Sequence, residues 1–288
     1  MTLFFEIANI SYKINVKESN IFISSDVAEY FTETMTEGNL CIEVELRLVD
    51  SADELETITG NPVHMDSYHI VLNNVDRESR IFLLNSNSNP YATYREIDNS
   101  KICIECVKDI MPYNILNMRL LELLCFEKAL LGEKAFILHA CYIEYKGRAI
   151  VFTAPSGTGK STQGALWERN RQAEIINGDR CIIQKKKDGY YVCGTPFCGS
   201  STINKNRTLP LAAIVIVNQD SNNYVKKATH TYAVKKIFSE ATVNRWNVSS
   251  VMCMFEMLEQ LYQEVEIVDL FCTPTAEAVE VLERYIMK

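Results

Sequence analysis

Residues 149–162 have the sequence AIVFTAPSGTGKST, in which an apolar strand leads through a glycine-rich loop into a helix. The loop matches the rule G-x-x-x-x-G-K-[ST] at each fixed position except the first, where Ala154 replaces glycine. That replacement costs stability only if the backbone there needs a positive φ. The alternative interpretation is a plain turn with an exposed lysine, but a strand before the loop and a helix after it are the context that a P-loop requires. The stretch therefore predicts a phosphate-binding loop in an α/β domain.

Each residue type in this loop has a physical task. Gly157 and Gly159 let backbone N–H groups turn inwards, and these groups, with the positive end of the following helix, cradle phosphate oxygens. Lys160 places an ammonium on the β- and γ-phosphates, and the Ser161 hydroxyl ligates Mg²⁺. The predicted ligand is Mg-ATP. Its predicted binding residues are Ser156, Gly157, Thr158, Gly159, Lys160, Ser161 and Thr162.

Composition excludes several other classes of protein. The 288 residues carry a formal net charge of -8 and show no long basic stripe, so no nucleic-acid partner is expected. The basic run 185–187 precedes Asp188-Gly189 and is typical of a solvated hairpin tip. The ten cysteines lie mostly in apolar runs, and the first residues lack the pattern of a signal peptide. No stretch approaches the ~18 apolar residues that span a bilayer. A reduced, cytoplasmic protein without a membrane partner is therefore expected.

The chain divides into two predicted parts, a β-rich region over residues 1–110 and a P-loop domain over residues 111–288. The strands predicted in the first part are Phe4–Ile10, Asn20–Ser24, Cys41–Leu48, Ser67–Leu72 and Arg80–Leu84. Cys103 and Cys106 have CxxC spacing, but no second pair follows, so a buried strand is favoured over a metal or redox site. A largely buried helix is predicted from about Pro112 to Leu131.

The second part alternates strands and helices. Beyond the P-loop helix we predict a hairpin of Cys181–Lys185 with Tyr190–Cys193 and a buried strand over Leu211–Val217. A mostly helical stretch follows from Ala233 to Gln263, and then a strand over Glu266–Cys272. Thr273 as N-cap, with Pro274 at the first helical position, predicts the start of the last helix.

The P-loop and several other segments together resemble the HPr kinase/phosphorylase family and its phosphoenolpyruvate-carboxykinase-like relatives, including HPr-kinase-like proteins of peptide-modification pathways. The resemblance covers roughly residues 120–288. The segments that carry it are the P-loop, Leu138-His139-Ala140, Asn177-Gly178-Asp179-Arg180, Gly194–Gly199, Asn206-Arg207, Pro210-Leu211, Leu270–Pro274 and Ala278–Glu280. It implies an α/β fold of the HPr-kinase/carboxykinase kind, with a mixed β-sheet and flanking helices, preceded by a β-rich N-terminal region.

The resemblance also implies site residues. Asp179 falls where the family has the second of two aspartates that divide magnesium binding and deprotonation of the attacking hydroxyl, and Gly178 replaces the first. Asp179 is therefore expected to be catalytic and, with Ser161, to bind the metal, although a turn aspartate is the alternative. His139 falls where the family has a histidine, so an active-site role is expected beside the alternative of a core histidine. Glu144 is a candidate to replace the missing carboxylate, against an ordinary solvated glutamate.

Arg207 is the third expected catalytic residue, because an arginine fork can neutralise charge on a transferring phosphoryl group; an ordinary exposed arginine is the alternative. The predicted reaction is transfer of the γ-phosphoryl group of ATP to a hydroxyl, in first place a serine of a peptide or protein. Two alternatives stay open, a nucleotide-gated regulatory module without transfer chemistry and a small-molecule kinase. A carboxykinase-like lyase ranks last, because no further metal and substrate residues can be located. The sequence names neither the acceptor nor the role of the first part, and leaves open a homo-oligomer and a phosphorolysis activity.

Overall fold

A computed structural model describes the chain over residues 1–18, 20–74, 77–84, 89–110 and 115–287. Its contacts divide the protein into two compact units, Met1–Phe126 and Glu127–Lys288; the sequence places the boundary after residue 110. Over the described residues the protein is a mixed α/β structure with large β-sheets and six α-helices. None of the helices in those ranges is long and apolar enough to cross a membrane.

The described strands of the first unit are β1 Thr2–Ile7, β2 Ile10–Val16, β3 Phe22–Ile23, β4 Phe31–Thr32, β5 Leu40–Val49, β6 Asn61–Met65, β7 His69–Asn74, β8 Arg77–Leu84, β9 Asn89–Glu96, β10 Lys101–Val107 and β11 Ile115–Leu116. Nine of them form one sheet with the strand order β4-β1-β2-β5-β10-β9-β8-β7-β6. β3 and β11 pair separately. Buried and more exposed residues alternate along most of β1 and β5, and the buried residues are apolar.

Comparison with the predicted strands shows one clear error in this unit. Phe4–Ile10 is not one strand, because the chain turns at Ala8, whose φ is 52°, and returns as β2. Cys103 and Cys106 lie on β10, as the buried-strand interpretation predicts. The run of asparagines and serines that ends at Pro90 predicts a turn over residues 85–90; residues 85–88 lie outside the described ranges, and residues 89 and 90 begin β9.

The long helix predicted from Pro112 to Leu131 is wrong. The described part of this segment contains two short helices, α1 over Met118–Glu122 and α2 over Glu127–Gly132. Cys125, between them, has a φ of 49°, a left-handed conformation that a continuing α-helix cannot contain. The leucines of both helices are buried, which explains why the apolar pattern resembled a single helix.

The second unit contains nine strands and five helices over the described residues. The strands are β12 Ala135–Tyr145, β13 Arg148–Thr153, β14 Glu174–Asn177, β15 Arg180–Lys186, β16 Gly189–Cys193, β17 Thr208–Gln219, β18 Tyr224–Lys227, β19 Ala241–Thr242 and β20 Glu266–Cys272. Besides α2, the helices are α3 Lys160–Arg171, α4 His230–Glu240, α5 Val248–Glu264 and α6 Ala276–Ile286. The predicted hairpin, buried strand and last strand are confirmed.

Two apolar layers hold this unit together. One contains buried residues of α4 and α5, such as Ile237 and Leu258, packed with Leu138 of the sheet. The other joins α3 and α6 to the sheet around Trp167, which is fully buried. Helices therefore cover the sheet on two sides, and burial of the two apolar layers is the main favourable term in its stability.

The strand directions position the predicted P-loop. β13 is parallel to β17, and β17 is parallel to β20, so the carboxyl ends of these strands lie at one edge. Such an edge is where open α/β sheets bind ligands. The predicted N-cap of the last helix is wrong by two residues: the N-cap of α6 is Thr275 and not Thr273. Thr273 instead bonds to the Asn223 side chain through both its N–H and its hydroxyl, so it is held in the loop.

Candidate active site

The glycine-rich loop that leads from β13 into α3, the predicted P-loop, contains two glycines with left-handed backbone conformations. Gly157 has a φ of 78° and Gly159 a φ of 119°, while a Cβ on either would meet no atom within 4 Å. The glycines are needed there for their conformation and not for space. Gly159 is the N-cap of α3, and the Gln163 N–H donates to its carbonyl. Ala154 is buried, and its φ is not positive, so the missing glycine costs the loop nothing.

Lys160 closes over the loop. Its ammonium donates hydrogen bonds to the carbonyl oxygens of Ala154 at 2.8 Å and Pro155 at 3.3 Å, and the residue is 6% exposed. Burial lowers its pKa, and the nearby carboxylates of Glu240 and Asp179 partly oppose that shift. Carbonyl oxygens satisfy the ammonium only as dipoles, so a phosphate oxygen is the stronger partner when it arrives.

A cavity of about 340 Å³ opens beside the loop at the carboxyl ends of β17 and β20. Its wall consists of P-loop and α3 residues on one side and strand-end residues on the other: Gly157, Thr158, Gly159, Thr162, Gln163, Val217, Gln219, Asp220, Cys272, Thr273 and Pro274. The Gln219 side chain donates to the Thr158 carbonyl at 3.3 Å and ties the strand end to the loop. The cavity is of the size that a small ligand occupies.

His139 is the centre of a charged cluster next to the loop. Its Nδ1 lies 2.9 Å from Oε2 of Glu240, and its Nε2 lies 3.9 Å from Oδ1 of Asp179. The carbonyl of His139 accepts from the Thr153 hydroxyl, so the histidine is joined to the strand that leads into the P-loop. Since Glu240 and Asp179 both act on the Lys160 ammonium, the lysine, the histidine and the two carboxylates form one electrostatic unit.

Glu240 is the functional candidate that the sequence did not indicate. It is the last residue of α4 and lies 101 residues from His139 along the chain. The chain then enters β19, where Ala241 pairs with Leu138, and this register sets Glu240 beside His139. The side chain is only 12% exposed. No local motif marks it, because its position follows from the β19–β12 pairing alone.

Asp179 is oriented by its neighbour Asn177. The fully buried Asn177 accepts the N–H groups of Asp179 and Arg180 on Oδ1 at 2.8 and 3.0 Å. Its amide donates to the carbonyls of Thr195 and Phe197, which ties the Asp179 turn to the loop that follows β16. Asp179 thus lies in a turn, as the alternative interpretation predicts, and its carboxylate also lies 3.9 Å from His139.

Gly178 stands where the resemblance implies a first aspartate, and the structure shows why a side chain is excluded. A Cβ at this position would lie 2.3 Å from Oγ and 2.5 Å from Cβ of Ser201. Across the turn, Gly199 has a φ of 53° and packs against the Asp179 carboxylate, which a Cβ would approach to 2.8 Å. The glycines at 178 and 199 let the two loops pack this closely around Asp179.

Arg207 and Glu144 lie in a different cluster. Arg207 forms ion pairs with Glu144 and Glu174 at 2.6 Å each, and Glu174 also pairs with Lys205. Among the described residues no bond joins Arg207 to His139 or Asp179. The carboxylate that accompanies His139 is therefore Glu240 and not Glu144, because Glu144 is held by Arg207.

Comparison with solved structures gives a weak likeness. The chain is similar to the HPr(Ser) kinase/phosphatase from Coxiella burnetii, with a TM-score of 0.31 and 9% sequence identity, over 52% of this chain and 88% of that chain. No protein-family model and no curated protein matches the sequence. A likeness of this size identifies neither the family nor the activity, so the function is argued from the site.

Proposed function

We propose that this protein is a phosphotransferase that moves the γ-phosphoryl group of Mg-ATP to a hydroxyl, in first place a serine of a peptide or protein. The observation that carries the proposal is the juxtaposition of a P-loop lysine with a carboxylate–histidine–carboxylate chain. Lys160 and the loop suit phosphates, and Asp179, His139 and Glu240 suit metal binding and proton transfer beside them.

The residues present fit a magnesium ion. Ser161 is exposed at the first turn of α3, and Asp179 is partly exposed, so a hydroxyl and a carboxylate oxygen face solvent near the loop. Hard oxygen ligands, with water and phosphate oxygens, are what Mg²⁺ requires. When bound, the ion would neutralise charge on the phosphates. The loop residues 156–162 would hold those phosphates through N–H groups and the helix N-terminus.

His139 is the proposed general base. With Nδ1–H donated to Glu240, Nε2 is left as an acceptor on the side of Asp179. The acceptor hydroxyl oxygen forms a bond to the γ-phosphorus, the bond from that phosphorus to the β,γ-bridging oxygen breaks, and ADP leaves. The hydroxyl proton moves to Nε2, and Glu240 stabilises the imidazolium. Arg207 is not assigned to this step, because Glu144 and Glu174 already neutralise its guanidinium.

Gly178 favours a second candidate, a nucleotide-gated module without transfer chemistry, since a P-loop can persist when a catalytic carboxylate is lost. Glu240 is the observation against it, because it brings a second carboxylate to His139. A small-molecule hydroxyl acceptor belongs to the first proposal, and the acceptor's identity decides between a protein kinase and a small-molecule kinase. We place the reaction in the cytoplasm, where ATP is available, with neither membrane nor nucleic acid as partner; a homo-oligomer is compatible with the proposal.

The test uses γ-labelled ATP and Mg²⁺ with free serine, serine peptides and a desalted lysate of the source cell as acceptors. Wild type is compared with Lys160→Ala, Asp179→Asn and the control Glu144→Gln, which removes a carboxylate of the neighbouring cluster. Label transferred by wild type and by the control, but by neither site variant, would establish the kinase. Tight Mg-ATP binding by wild type without transfer to any acceptor would contradict the kinase proposal and favour the nucleotide-gated module.

A further inference from the structure

Three metal-ligating side chains meet on the β6–β7 hairpin of the first unit. His64 lies on β6, Asp66 in the turn and His69 at the start of β7. Nε2 of His64 is 3.2 Å from Oδ2 of Asp66, and Nδ1 of His69 is 3.2 Å from Oδ1 of the same carboxylate. The ligand atoms of all three residues lie within 4.8 Å of one another.

The backbone fixes this arrangement. Oδ1 of Asp66 accepts the N–H groups of Tyr68 and His69 at 2.7 and 2.9 Å, and the Asp66 N–H donates to the His69 carbonyl. The His69 ring is stacked on Phe82, with ring centres 6.4 Å apart. The carboxylate and one imidazole are thus held in place by the strands before any ion arrives.

We propose that His64, Asp66 and His69 bind a divalent transition metal ion of the Zn²⁺ class. Bonds of about 2.0–2.1 Å to nitrogen or oxygen at tetrahedral angles separate neighbouring ligand atoms by about 3.3 Å. Each imidazole has a nitrogen 3.2 Å from an oxygen of the Asp66 carboxylate, His64 from Oδ2 and His69 from Oδ1. Taken one to a residue, the three ligand atoms lie within 4.8 Å of one another, so a small adjustment of the partly exposed His64 ring would bring them to the spacing of one coordination sphere. Two imidazoles with one carboxylate suit Zn²⁺, Ni²⁺ or Cu²⁺, whereas Mg²⁺ and Ca²⁺ require oxygen ligands.

The site is open to solvent. The side chains of His64, Asp66 and His69 are 34%, 38% and 19% exposed, so an ion can enter and keep water in its remaining positions. Three protein ligands and an open position are the arrangement of reactive zinc sites, whereas closed structural sites have four ligands. The competing interpretation is two histidine–aspartate hydrogen bonds that only stabilise the turn. This site lies outside the P-loop unit and does not depend on the proposed phosphoryl transfer.

The experiment is a titration of the full chain with Zn²⁺ by calorimetry, without nucleotide, after alkylation of accessible cysteines. A parallel titration with Co²⁺ reports the ligand type, because thiolate ligands give a charge-transfer band that imidazole and carboxylate do not. Wild type should bind one ion per chain. His64→Gln and Asp66→Asn should each weaken the affinity by at least about tenfold, since even loss of an outer-shell partner costs 10–100-fold.

His230→Gln is the matched control. His230 is also exposed and also pairs with a carboxylate, Glu259 at 2.7 Å, but it belongs to no three-residue cluster in the described ranges. The His230→Gln variant should bind Zn²⁺ with the affinity of wild type. Circular dichroism checks that each variant is folded. If Asp66→Asn unfolds the turn, His64→Gln still tests the site, because His64 is the more exposed of the two histidines. No stoichiometric ion in wild type, or equal affinity in folded wild type and His64→Gln, would overturn the site.

Discussion

Replacing Glu240 by glutamine removes the charge beside His139 and leaves the shape of the site. The glutamine oxygen can still accept the Nδ1–H hydrogen bond that Glu240 accepts at 2.9 Å. What is lost is the attraction to the imidazolium that the proposed proton transfer creates on His139. Because that charge is created in the transfer step, the change should lower kcat and leave KM nearly unchanged.

The distance sets the size of the effect. Unit charges 2.9 Å apart attract by about 1.4 kcal/mol in water and about 5.7 kcal/mol at an effective dielectric constant of 20. The His139 side chain is 31% exposed, which places the value nearer the first limit. With a tenfold change in rate for each 1.36 kcal/mol, we expect kcat to fall by about 10- to 100-fold.

The assay follows release or transfer of γ-labelled phosphate under saturating Mg-ATP for wild type, Glu240→Gln and Glu144→Gln. Glu144 is also a paired carboxylate, but its partner is Arg207 in the neighbouring cluster. Its variant removes no charge beside His139, so its kcat should stay within about twofold of the wild-type value. A Glu240→Gln enzyme with wild-type kcat, in a preparation where Lys160→Ala is inactive, would refute the role given to the His139–Glu240 pair.

Three further predictions concern packing and ionisation. Gly178→Ala should destabilise the protein by about 1–3 kcal/mol through the clash with Ser201, and in a Ser201→Gly background that cost should largely vanish in a double-mutant cycle of thermal melts. Burial lowers the pKa of Lys160, so its ammonium loses the proton at a lower pH than an ordinary lysine does. ATP affinity, measured by titration with a fluorescent nucleotide, should therefore fall as the pH becomes alkaline. The affinity of Lys160→Arg should not change over the same pH range, because its guanidinium stays charged. Burial raises the pKa of Asp269, one of whose carboxylate oxygens has no hydrogen-bond partner in the described structure, so folding favours the protonated form. Asp269→Asn should therefore raise the melting midpoint at neutral pH, by roughly 2–4 °C for each kcal/mol that it adds to the free energy of unfolding. Calorimetry should find a smaller rise of the midpoint in acid, where the wild-type carboxyl is already protonated.

Much of the second unit was predictable because its signals are local. The hairpin of β15 and β16 follows from alternating apolar residues on either side of a turn pair, and β20 from a short apolar run between turns. The failures were at places where burial hides the local conformation. Leucines on both sides of Cys125 predict one buried helix, yet the left-handed backbone at Cys125 ends it.

Some residues of the candidate site were also predictable from local sequence, and others were not. The P-loop residues are contiguous, so their types and spacing indicate the phosphate cradle directly. His139 and Asp179 were reached through a resemblance, and the structure brings them within 3.9 Å of each other. Arg207 was expected beside them, but two glutamates on β12 and β14 hold it elsewhere.

By itself, the sequence determined a strand, a glycine-rich loop and a helix that begins with a lysine. These features depend on the backbone freedom of glycine and on an apolar run, which both lie within a few neighbouring residues. Only the tertiary structure decided that Glu240 is the carboxylate beside His139 and that Ser201 fills the space next to Gly178. Those contacts depend on the register of strands and the path of loops far apart in the chain. That register is set by the burial of whole sheet faces, which no short stretch of sequence specifies.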